Sequence, residues 1–387
     1  MTQVSTDPNL IDKFLDRGVE AIYPSREELR QKLMSGERLR IYQGFDPTGK
    51  YLHIGHAMGI RALAILQQLG HEVIFLVGDY TAKVGDPDKD TTRDMLSEEE
   101  IEANLAGWRE QAAQLIDFEG ENAVKFQRNY ELLAELKLDD IIKLMSHITV
   151  QRMLERDMFE RRMNQGDPIK LHEFIYPLMQ GYDGVAMNVD MEIGGSDQTF
   201  NMLMGRTLSQ AYNNKEKFVR VNKMMDAPDG RTMSKTKGNG INLGDTSEDM
   251  FGKAMSYPDN SIVAGFELLT DIPMEEVERI EKELEGGANP MEYKKKLAYE
   301  IVKMIRGEEE AQKAREHFER TVQQKEAPEE VGTVTVEGAS KNIVELVVET
   351  GLTSSKGEAR RLIQQGGIKV DKQPVQDTDH TVEIGPE

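Results

Sequence analysis

Two histidines three residues apart are the first residues in this sequence whose types and spacing could do chemistry. His53 and His56 lie in the stretch "YLHIGHAMG", directly before an apolar helical pattern. A helix N-terminus presents backbone N–H groups and the positive end of a dipole, so it favours an anion such as phosphate. Imidazoles donate hydrogen bonds to phosphate oxygens, and Gly55 lets a large ligand approach the backbone. Two alternatives are an incidental helix start and a metal-ligand pair, although the adjoining residues supply no third metal ligand.

A second candidate is the polar segment at residues 230–239, "GRTMSKTKGN", which is flanked by glycines and carries lysines. Lys235 in such a loop can reach phosphate oxygens, although a segment of this kind on its own is more often a solvated loop. A Gly-rich turn, "GGSDQ" at residues 194–198, lies between the two candidates along the chain. What these three stretches can do depends on the elements that carry them.

Alternating strand and helix patterns surround these stretches. Residues 38–46 and 71–79 predict strands, and residues 56–70 between them predict a helix that ends at Gly70. This strand–helix–strand order indicates a βαβ unit in a parallel sheet. A second unit of strand, glycine turn and helix follows at residues 189–208. We therefore expect an α/β fold with a Rossmann-like doubly wound parallel sheet and helices inserted between its two halves.

The organisation changes after residue 245. Residues 246–325 are rich in Glu, Lys, Ala and Leu and predict an all-helical domain. Residues 326–338 have the polar, Pro- and Gly-bearing character of a linker, and residues 339–387 predict a small α/β unit. Residues 1–245 then form the α/β domain with its inserted helices, one of them a long helix after the capping-box pattern of Ser97 and Glu100.

The composition of the 387 residues narrows the class of protein. The formal net charge of −21 repels nucleic acid as a whole, so any contact with RNA needs a local basic patch. The chain has no cysteine, which excludes disulfides and thiolate catalysis and fits a reducing compartment. No apolar run approaches the roughly 20 residues that span a bilayer, and the first residues lack a secretory-signal pattern. We expect a cytoplasmic protein without a membrane span.

The histidine stretch "HIGH", the turn "GGSDQ" and the lysine segment resemble the signature set of class I aminoacyl-tRNA synthetases. Four longer segments sharpen this resemblance: "IYQGFDPTGKYLHIGH", "VGDYTAKVGDP", "EFIYPLMQGYD" and "EIGGSDQTFN". Together they are similar to the bacterial tyrosyl-tRNA synthetase family, and the likeness covers nearly the whole chain. The resemblance implies L-tyrosine, ATP with its Mg²⁺ and tRNA(Tyr) as substrates, and a homodimer formed through the inserted helices.

The resemblance also implies roles for individual residues. Tyr42 and Asp183 are expected at the phenol hydroxyl of tyrosine; the residues expected at its ammonium group and carboxyl end are Asp86, Tyr176, Gln180 and Gln198. The residues expected at ATP are Gly44, Asp46, Thr48, His53, Gly55, His56, Gly195, Asp197, Met233, Ser234 and Lys235. Of these, Thr48, His53, His56 and Lys235 are expected to meet the phosphates and to act in catalysis. The spacing itself places Gln180 and Asp183 on one helix face, and Tyr176 joins them if the helix begins before Pro177.

Two positions depart from the family pattern. Thr232 stands where the lysine segment commonly begins with Lys, so one cationic phosphate contact is missing or is replaced by Arg231 or Lys237. Glu192, which we expect in the turn before the Gly-Gly pair, stands where some members have Gln. The second departure is typical of a subgroup of the family.

The last fifty residues resemble a small RNA-binding fold first known from a small-subunit ribosomal protein. The stretch "SSKGEARRLIQQGGIKVDK" carries the likeness and has more basic than acidic residues. A local basic patch of this kind is what tRNA binding by an acidic protein requires, and a solvated helix face is the alternative. The residues expected to bind RNA are Lys356, Arg360, Arg361, Lys369 and Lys372.

Two rival functions remain. Tryptophanyl enzymes share the fold and the signatures. The set of Tyr176, Gln180 and Asp183, together with Tyr42, argues against that rival. A non-catalytic RNA-binding protein on a degenerate synthetase scaffold is suggested by Thr232. The presence of both histidines and of Lys235 argues against that rival.

Overall fold

The computed structural model describes most of the chain, namely residues 3–86, 96–225, 240–323, 336, 340–353, 355–364, 367–370 and 373–383. Thr232, Met233, Ser234, Lys235 and Lys372 lie outside the described residues. The chain divides into two compact units, Met1–Gln324 and Lys325–Glu387. The boundary that we predict at residue 245 lies inside the first unit and stays a prediction.

A six-stranded sheet forms the centre of the first unit within its described residues. Its strands are β1 Val19–Tyr23, β2 Arg40–Phe45, β3 Glu72–Val77, β4 Lys125–Arg128, β5 Met191–Gly195 and β6 Phe218–Asn222. Their spatial order is β1-β6-β5-β2-β3-β4, and every neighbouring pair is parallel except β1 with β6. The strand order reverses between β2 and β5, and the crevice at the carboxyl ends of such strands is where doubly wound sheets bind ligands. The expected fold class is confirmed.

Helices cover both faces of this sheet and continue beyond it. The helices up to the last sheet strand are α1 Pro8–Asp16, α2 Arg26–Met34, α3 Ile54–Gln68, α4 Thr81–Val84, α5 Glu98–Leu105, α6 Trp108–Ala112, α7 Tyr130–Leu133, α8 Leu138–Met145, α9 Val150–Leu154, α10 Asp157–Gln165, α11 Tyr176–Ala186 and α12 Thr199–Asn213. The later ones in the first unit are α13 Ser247–Met255, α14 Ile262–Leu269, α15 Met274–Glu285, α16 Pro290–Arg306 and α17 Glu308–Phe318. Short 3₁₀ turns occupy Leu171–Phe174, Ser196–Gln198 and Asp259–Ser261, and a π turn occupies Glu319–Gln323.

The βαβ unit around the histidines has the predicted elements. Helix α3 begins directly after His53, buries Ala62, Leu66 and Leu69, and stops before Gly70, whose φ of 89° suits only glycine well. Strands β2 and β3 pair in parallel on either side of it in sequence, from Arg40 opposite Glu72 onward.

The expected long helix after Ser97 is wrong, although its capping box forms as predicted. Helix α5 ends at Leu105 because Gly107 takes a φ of 85°, which turns the chain before α6 begins. This turn buries Trp108 completely and lets its ring N–H donate to the carbonyl of Gly49 at 3.2 Å. The break therefore serves the packing of the segment that leads into the histidine turn.

Helix α14 joins the later helices to the sheet region through shared packing. Arg61 of α3 donates to the carbonyls of Leu268 at 3.0 Å and Thr270 at 2.6 Å. Arg17 donates to the carbonyls of Phe266 and Glu267 in α14 and to that of Ile272 beyond the helix. These guanidinium groups satisfy carbonyls that a helix C-terminus leaves without partners.

The second unit is small. Its described elements are β7 Ser340–Asn342, α18 Ile343–Glu349, α19 Lys356–Gln364, β8 Ile368–Val370, β9 Gln373–Val375 and β10 Thr381–Glu383. Strand β7 pairs with β10, and β8 pairs with β9. The two helices bury Ile343, Val344, Val347, Ala359 and Ile363 against one another.

Candidate active site

The carboxyl ends of β2 and β5 form the floor of a cleft. Gly44 is exposed although its neighbours in β2 are buried, which marks an opening above the strand. Gly195 ends β5, and a Cβ at this position would meet Oδ1 of Asp197 at 2.5 Å. Neither Gly44 nor Gly195 has a side chain, so a large ligand can approach the backbone at the ends of both strands.

The two histidines stand at one side of this cleft, at the start of α3. The backbone N–H of His53 donates to Nδ1 of His56 at 3.0 Å, and the two rings lie 3.8 Å apart between centroids. Since Nδ1 of His56 accepts, its hydrogen resides on Nε2, which can donate to an anion but cannot bind a metal in this tautomer. Both side chains are half-buried. The geometry favours the phosphate-binding interpretation over the metal-ligand pair.

Segment 241–243 is hydrogen-bonded to the histidine turn. Ile54 N donates to the carbonyl of Ile241 at 2.8 Å, and Leu243 N donates to the carbonyl of Leu52 at 2.7 Å. At the other end of the interval that contains Lys235, a Cβ on Gly195 would meet Sδ of Met224 at 3.3 Å. Both flanks of residues 226–239 are thus at the cleft.

Asp46 organises the wall of the cleft beyond β2. Its Oδ2 accepts from the hydroxyl of Tyr176 at 2.8 Å, and its Oδ1 accepts from the hydroxyl of Thr81 at 2.8 Å. Its carbonyl accepts from Thr48 N at 2.8 Å, which folds the turn before the histidines. Asp46 therefore joins the histidine side of the cleft to helix α11.

Tyr42 and Asp183 meet at the buried end of the cleft. Both are at most 2% exposed, and the hydroxyl of Tyr42 lies 3.4 Å from the carbonyl of Gln180. Asn129 donates to Oδ2 of Asp183 at 3.1 Å, whereas Oδ1 has no hydrogen-bond partner among the described residues. Burial raises the pKa of Asp183 well above its ordinary value, and burial raises the pKa of Tyr42 as well. A buried acceptor without a partner is costly, so this oxygen is suited to a hydroxyl donor from a ligand.

A line of amides connects this end with the rest of the cleft. Helix α11 begins at Tyr176, so Tyr176, Gln180 and Asp183 share one helix as the spacing predicts. Asn201 donates to Oε1 of Gln180 at 2.9 Å and to Oε1 of Gln198 at 3.0 Å.

Gln198 extends this line to the acidic side of the cleft. It donates to Asp86 at 2.7 Å and to the exposed Asp197 at 2.9 Å. Asp86 also forms an ion pair with the buried Arg156 at 2.6 Å. The residues expected around the amino acid are therefore brought into one connected network.

Glu192 lies inside β5 and not in the turn where we expected it. The register of the parallel pairs sets this, because Glu192 stands opposite Tyr42 on β2 and Val219 on β6. The side chain is 1% exposed, accepts from Nε2 of Gln180 at 3.1 Å and forms an ion pair with the fully buried Lys217.

Several residues of the network were not found from the sequence. Thr81 lies within a quoted segment, and Asn129 follows β4 at the carboxyl end of a parallel strand, which is a usable signal. Asn201 also lies within a quoted segment, whereas Arg156 and Lys217 carry no comparable signal, because only the tertiary packing brings them to the cleft.

The expected RNA-binding residues lie in the second unit. Arg360, Arg361 and Lys369 are exposed, and Lys356 forms an exposed ion pair with Glu345 at 2.8 Å. This partner lies outside the basic stretch, so the sequence did not indicate it. Lys372 lies outside the described residues.

No group of three or more His, Asp or Glu side chains among the described residues is arranged to hold a metal ion. Among the same residues, no helix has both the length and the apolar character needed to cross a membrane.

Comparison with known proteins gives consistent matches along the chain. Residues 34–323 match the family model described as tRNA synthetases class I (W and Y), and residues 323–385 match the model of a tyrosine--tRNA ligase SYY-like C-terminal domain. The chain is 43% identical to the tyrosine--tRNA ligase of Thermotoga maritima, over 96% of this chain and 92% of the relative. It is 42% identical to that of Burkholderia thailandensis, over 95% and 90%.

Solved structures agree at the level of the fold. A truncated mitochondrial tyrosyl-tRNA synthetase of Aspergillus nidulans matches with a TM-score of 0.65 at 22% identity, over 80% of this chain and 93% of that one. The Archaeoglobus fulgidus tyrosyl-tRNA synthetase complexed with L-tyrosine matches with a TM-score of 0.62 at 22% identity, over 80% and 100%. On the strength of the two family models and the close relatives, this chain belongs to the tyrosine--tRNA ligase family of class I tRNA synthetases.

Proposed function

We propose that this chain activates L-tyrosine with ATP and then passes the tyrosyl group to the terminal 3′ adenosine of tRNA(Tyr). In the first step the carboxylate of tyrosine attacks the α-phosphorus of ATP, a P–O bond to the leaving group breaks, and tyrosyl-adenylate and pyrophosphate form. No side-chain nucleophile is needed, so catalysis depends on positioning and on stabilising the charge of the transition state.

The observation that carries the choice of tyrosine is the unpartnered Oδ1 of the buried Asp183. A phenol hydroxyl that donates to this oxygen and meets the hydroxyl of Tyr42 would satisfy both groups. Phenylalanine would leave them unsatisfied, and discrimination on this basis is large. Tyrosyl-tRNA synthetases are a known example of this kind of discrimination.

The opposite end of tyrosine is assigned to the amide network. We assign its ammonium group to Asp86, Tyr176 and Gln180, with Gln198 beside the carboxyl end. The hydrogen bonds from Asn201 to both glutamines support this assignment because they hold the two amides in one orientation. Asp86 keeps acceptor capacity beside Arg156, since an ionised carboxylate offers about four lone-pair sites.

ATP is assigned to the bare carboxyl ends of β2 and β5. Thr48, His53 and His56 donate hydrogen bonds to the phosphates. The hydrogen bond that Nδ1 of His56 accepts supports this assignment, because it leaves the ring hydrogen on Nε2, where it can be donated. The remaining assigned positions are Gly44, Asp46, Gly55, Gly195 and Asp197, with Asp197 on the ribose, together with Met233, Ser234 and Lys235. Mg²⁺ enters bound to the phosphates of the substrate, where it neutralises charge.

The second unit is assigned to tRNA. The exposed Arg360, Arg361 and Lys369, with Lys356 and Lys372, supply positive charge within an otherwise acidic chain. Contacts of this kind bind the phosphate backbone and weaken as salt rises. The helical region at residues 246–325 is assigned to the anticodon arm.

We further propose a homodimer that forms through the inserted helices, and a cytoplasmic location. Helix α8 exposes Leu138, Ile142 and Met145, which follow one another at helical spacing, and Val150 after it is 63% exposed. An apolar stripe of this kind supports a protein–protein contact, and a second copy is the partner that we assign to it.

Amino-acid-dependent exchange of pyrophosphate into ATP, run with a panel of amino acids, tests the proposal. We expect exchange with tyrosine alone and charging of tRNA(Tyr). Exchange with tryptophan but not with tyrosine would overturn the assignment of Asp183, and no exchange with any amino acid would favour a non-catalytic RNA-binding role.

A further inference from the structure

A buried ion pair lies beneath the proposed tyrosine site, and none of the roles assigned above explains it. Lys217 is 0% exposed and Glu192 is 1% exposed, and their side chains are hydrogen-bonded. Lys217 lies in the connection between α12 and β6, whereas Glu192 belongs to β5. Burying two charges is costly, and an apolar pair of similar size would serve stability equally well.

The surrounding elements leave room for the lysine head group. A Cβ on Gly205 of α12 would collide with Nζ of Lys217, and a Cβ on Gly184 of α11 would approach it to 3.4 Å. The same Nζ lies 5.8 Å from the centroid of the Tyr42 ring. Two helices and the ring of a proposed substrate-binding residue therefore enclose the ammonium group.

Glu192 determines which way the Gln180 amide points. An ionised carboxylate can only accept hydrogen bonds, so the Gln180 group that faces it must be the NH₂. Nε2 of Gln180 donates to Oε1 of Glu192 at 3.1 Å, which leaves Oε1 of Gln180 on the other side, where Asn201 donates to it. A carbonyl oxygen has a second lone pair, which can accept from a ligand ammonium group.

We propose that Lys217 is a positioning residue for the amino-acid substrate, because it keeps Glu192 an acceptor-only carboxylate and thereby holds the carbonyl oxygen of Gln180 toward the substrate's ammonium group. The inference rests on the proposed function, which places that ammonium group at Gln180. Lys217 touches neither substrate and acts through Glu192 alone.

Loss of the lysine charge has a definite consequence. Glu192 is then a buried carboxyl group that faces Tyr42 from β2 and the carboxyl of Asp183 from α11, with no cation beside it. Burial without a neighbouring cation favours the neutral form of a carboxyl group, in which it can donate a hydrogen bond. The Gln180 amide then reverses to accept from it and presents its NH₂ to the substrate, which repels an ammonium group.

The test compares Lys217→Met with the unaltered chain by tyrosine-dependent pyrophosphate exchange between about pH 6.5 and 8.5. We expect the KM for tyrosine to rise about tenfold or more at the acid end and to fall toward the wild-type value as pH rises, while the KM for ATP stays unchanged. The wild-type KM for tyrosine should change little over this range. A Lys217→Met KM that equals the wild-type value, or that is raised equally at every pH, would overturn the inference.

A double variant keeps the inference testable if Lys217→Met does not fold. Glu192→Gln with Lys217→Met removes both charges, so we expect it to fold and to show no pH dependence. Its KM for tyrosine should stay raised several-fold, because a glutamine can face Gln180 with either its carbonyl or its NH₂. A double variant with the wild-type KM for tyrosine would contradict the role of the carboxylate.

Lys215→Met is the matched control, because Lys215 lies in the same connection but pairs with Asp190 at a partly exposed position. We expect wild-type KM values for this variant, and a raised KM for tyrosine would instead indicate a general effect of the connection. If the proposed function itself fails, the unaltered chain shows no tyrosine-dependent exchange at any pH. That outcome is distinct from every result above.

Discussion

Asp183 is 2% exposed, and among the described residues its carboxyl group accepts one hydrogen bond, from Asn129. Its burial, with Glu192 and Asp46 nearby, raises its pKa well above the ordinary value. The burial of this carboxyl group therefore opposes stability, and we propose that the residue recognises a hydroxyl group. Function and stability conflict here at the scale of one side chain.

Asp183→Asn should remove the loss of stability that the buried carboxyl group of Asp183 causes. The folded-state pKa is raised, so the wild type loses stability as pH rises from the unfolded pKa, near 4, toward the folded value. Asparagine does not titrate and keeps an acceptor for Asn129. We expect the variant to be more stable than the wild type by about 1–3 kcal/mol at pH 7 and by less at pH 4.5, as measured by denaturant unfolding. A gap that does not widen with pH would show that the carboxyl group is not strained by burial.

At the scale of residues, the sequence predicts the placement of those side chains that a local pattern such as helical spacing governs. The helical spacing of Gln180 and Asp183 predicted a shared face, and both lie on α11. Lys217 could not be predicted, because a charged residue in a polar stretch is normally solvated. Two glycines packed around its head group and the ion pair with Glu192 explain its burial.

At the scale of elements, the described residues on either side of the interval 226–239 lie at the candidate site: Met224 is next to Gly195, and Ile241 accepts a backbone hydrogen bond from Ile54, the residue after His53. Both flanks therefore adjoin the cleft. This arrangement supports a role for Lys235 in the chemical step.

Lys235→Ala should separate rate from binding. We expect kcat of pyrophosphate exchange to fall about 10- to 100-fold while the KM for tyrosine changes little, because the lost contact develops mainly at the pyrophosphate leaving group. Steady-state exchange kinetics with each substrate varied in turn provide the measurement. An unchanged kcat would remove Lys235 from the site.

The break between α5 and α6 gives a prediction about stability alone. Gly107→Ala should destabilise the chain by about 1–2 kcal/mol, because alanine is strained at a φ of 85°. Gly252→Ala is the matched control: this glycine lies inside α13, a Cβ there would meet nothing within 4 Å, and we expect up to about 1 kcal/mol of stabilisation. Thermal unfolding of both variants measures the two changes in stability. Equal changes would show that the conformation of residue 107 does not cause the destabilisation.

The sequence predicts the βαβ unit because its signals are local: an apolar strand, an amphipathic helix and a glycine at the helix end. The break at Gly107 was not predicted, since a single glycine inside a helical pattern is compatible with either continuation or a stop. The helix stops at Gly107 because Trp108 is buried against the segment before the histidines, and this is a tertiary contact. The position of Glu192 was not predicted for a related reason. Its place in a strand depends on pairing with β2 and β6, which are distant in sequence.

At the scale of the whole molecule, the net charge of −21 repels RNA, which is also negatively charged. The chain divides at residue 324 into two compact units, and the exposed Arg360, Arg361 and Lys369 lie in the second. Adenylate formation is assigned entirely to the first unit. The two activities should therefore be separable.

Deletion of residues 340–387 should leave tyrosine-dependent exchange within about twofold of the full chain and should weaken tRNA charging by about tenfold or more. The full chain should also show the steeper loss of tRNA affinity with salt, because it makes more phosphate contacts. Exchange and charging assays on the same preparations provide the comparison. Equal loss of both activities would place the second unit in the adenylation reaction.

We propose that the buried pair of Asp183 and Tyr42 selects a substrate by its hydroxyl group. The most direct measurement is the ratio of kcat/KM for tyrosine to that for phenylalanine in pyrophosphate exchange, determined for the unaltered chain and for Tyr42→Phe. The unaltered chain should show the large ratio, of at least about 10⁴, that is known for tyrosyl-tRNA synthetases. We expect Tyr42→Phe to lower this ratio by about tenfold or more, mainly through poorer use of tyrosine. A ratio near unity, or one that Tyr42→Phe leaves unchanged, would contradict it.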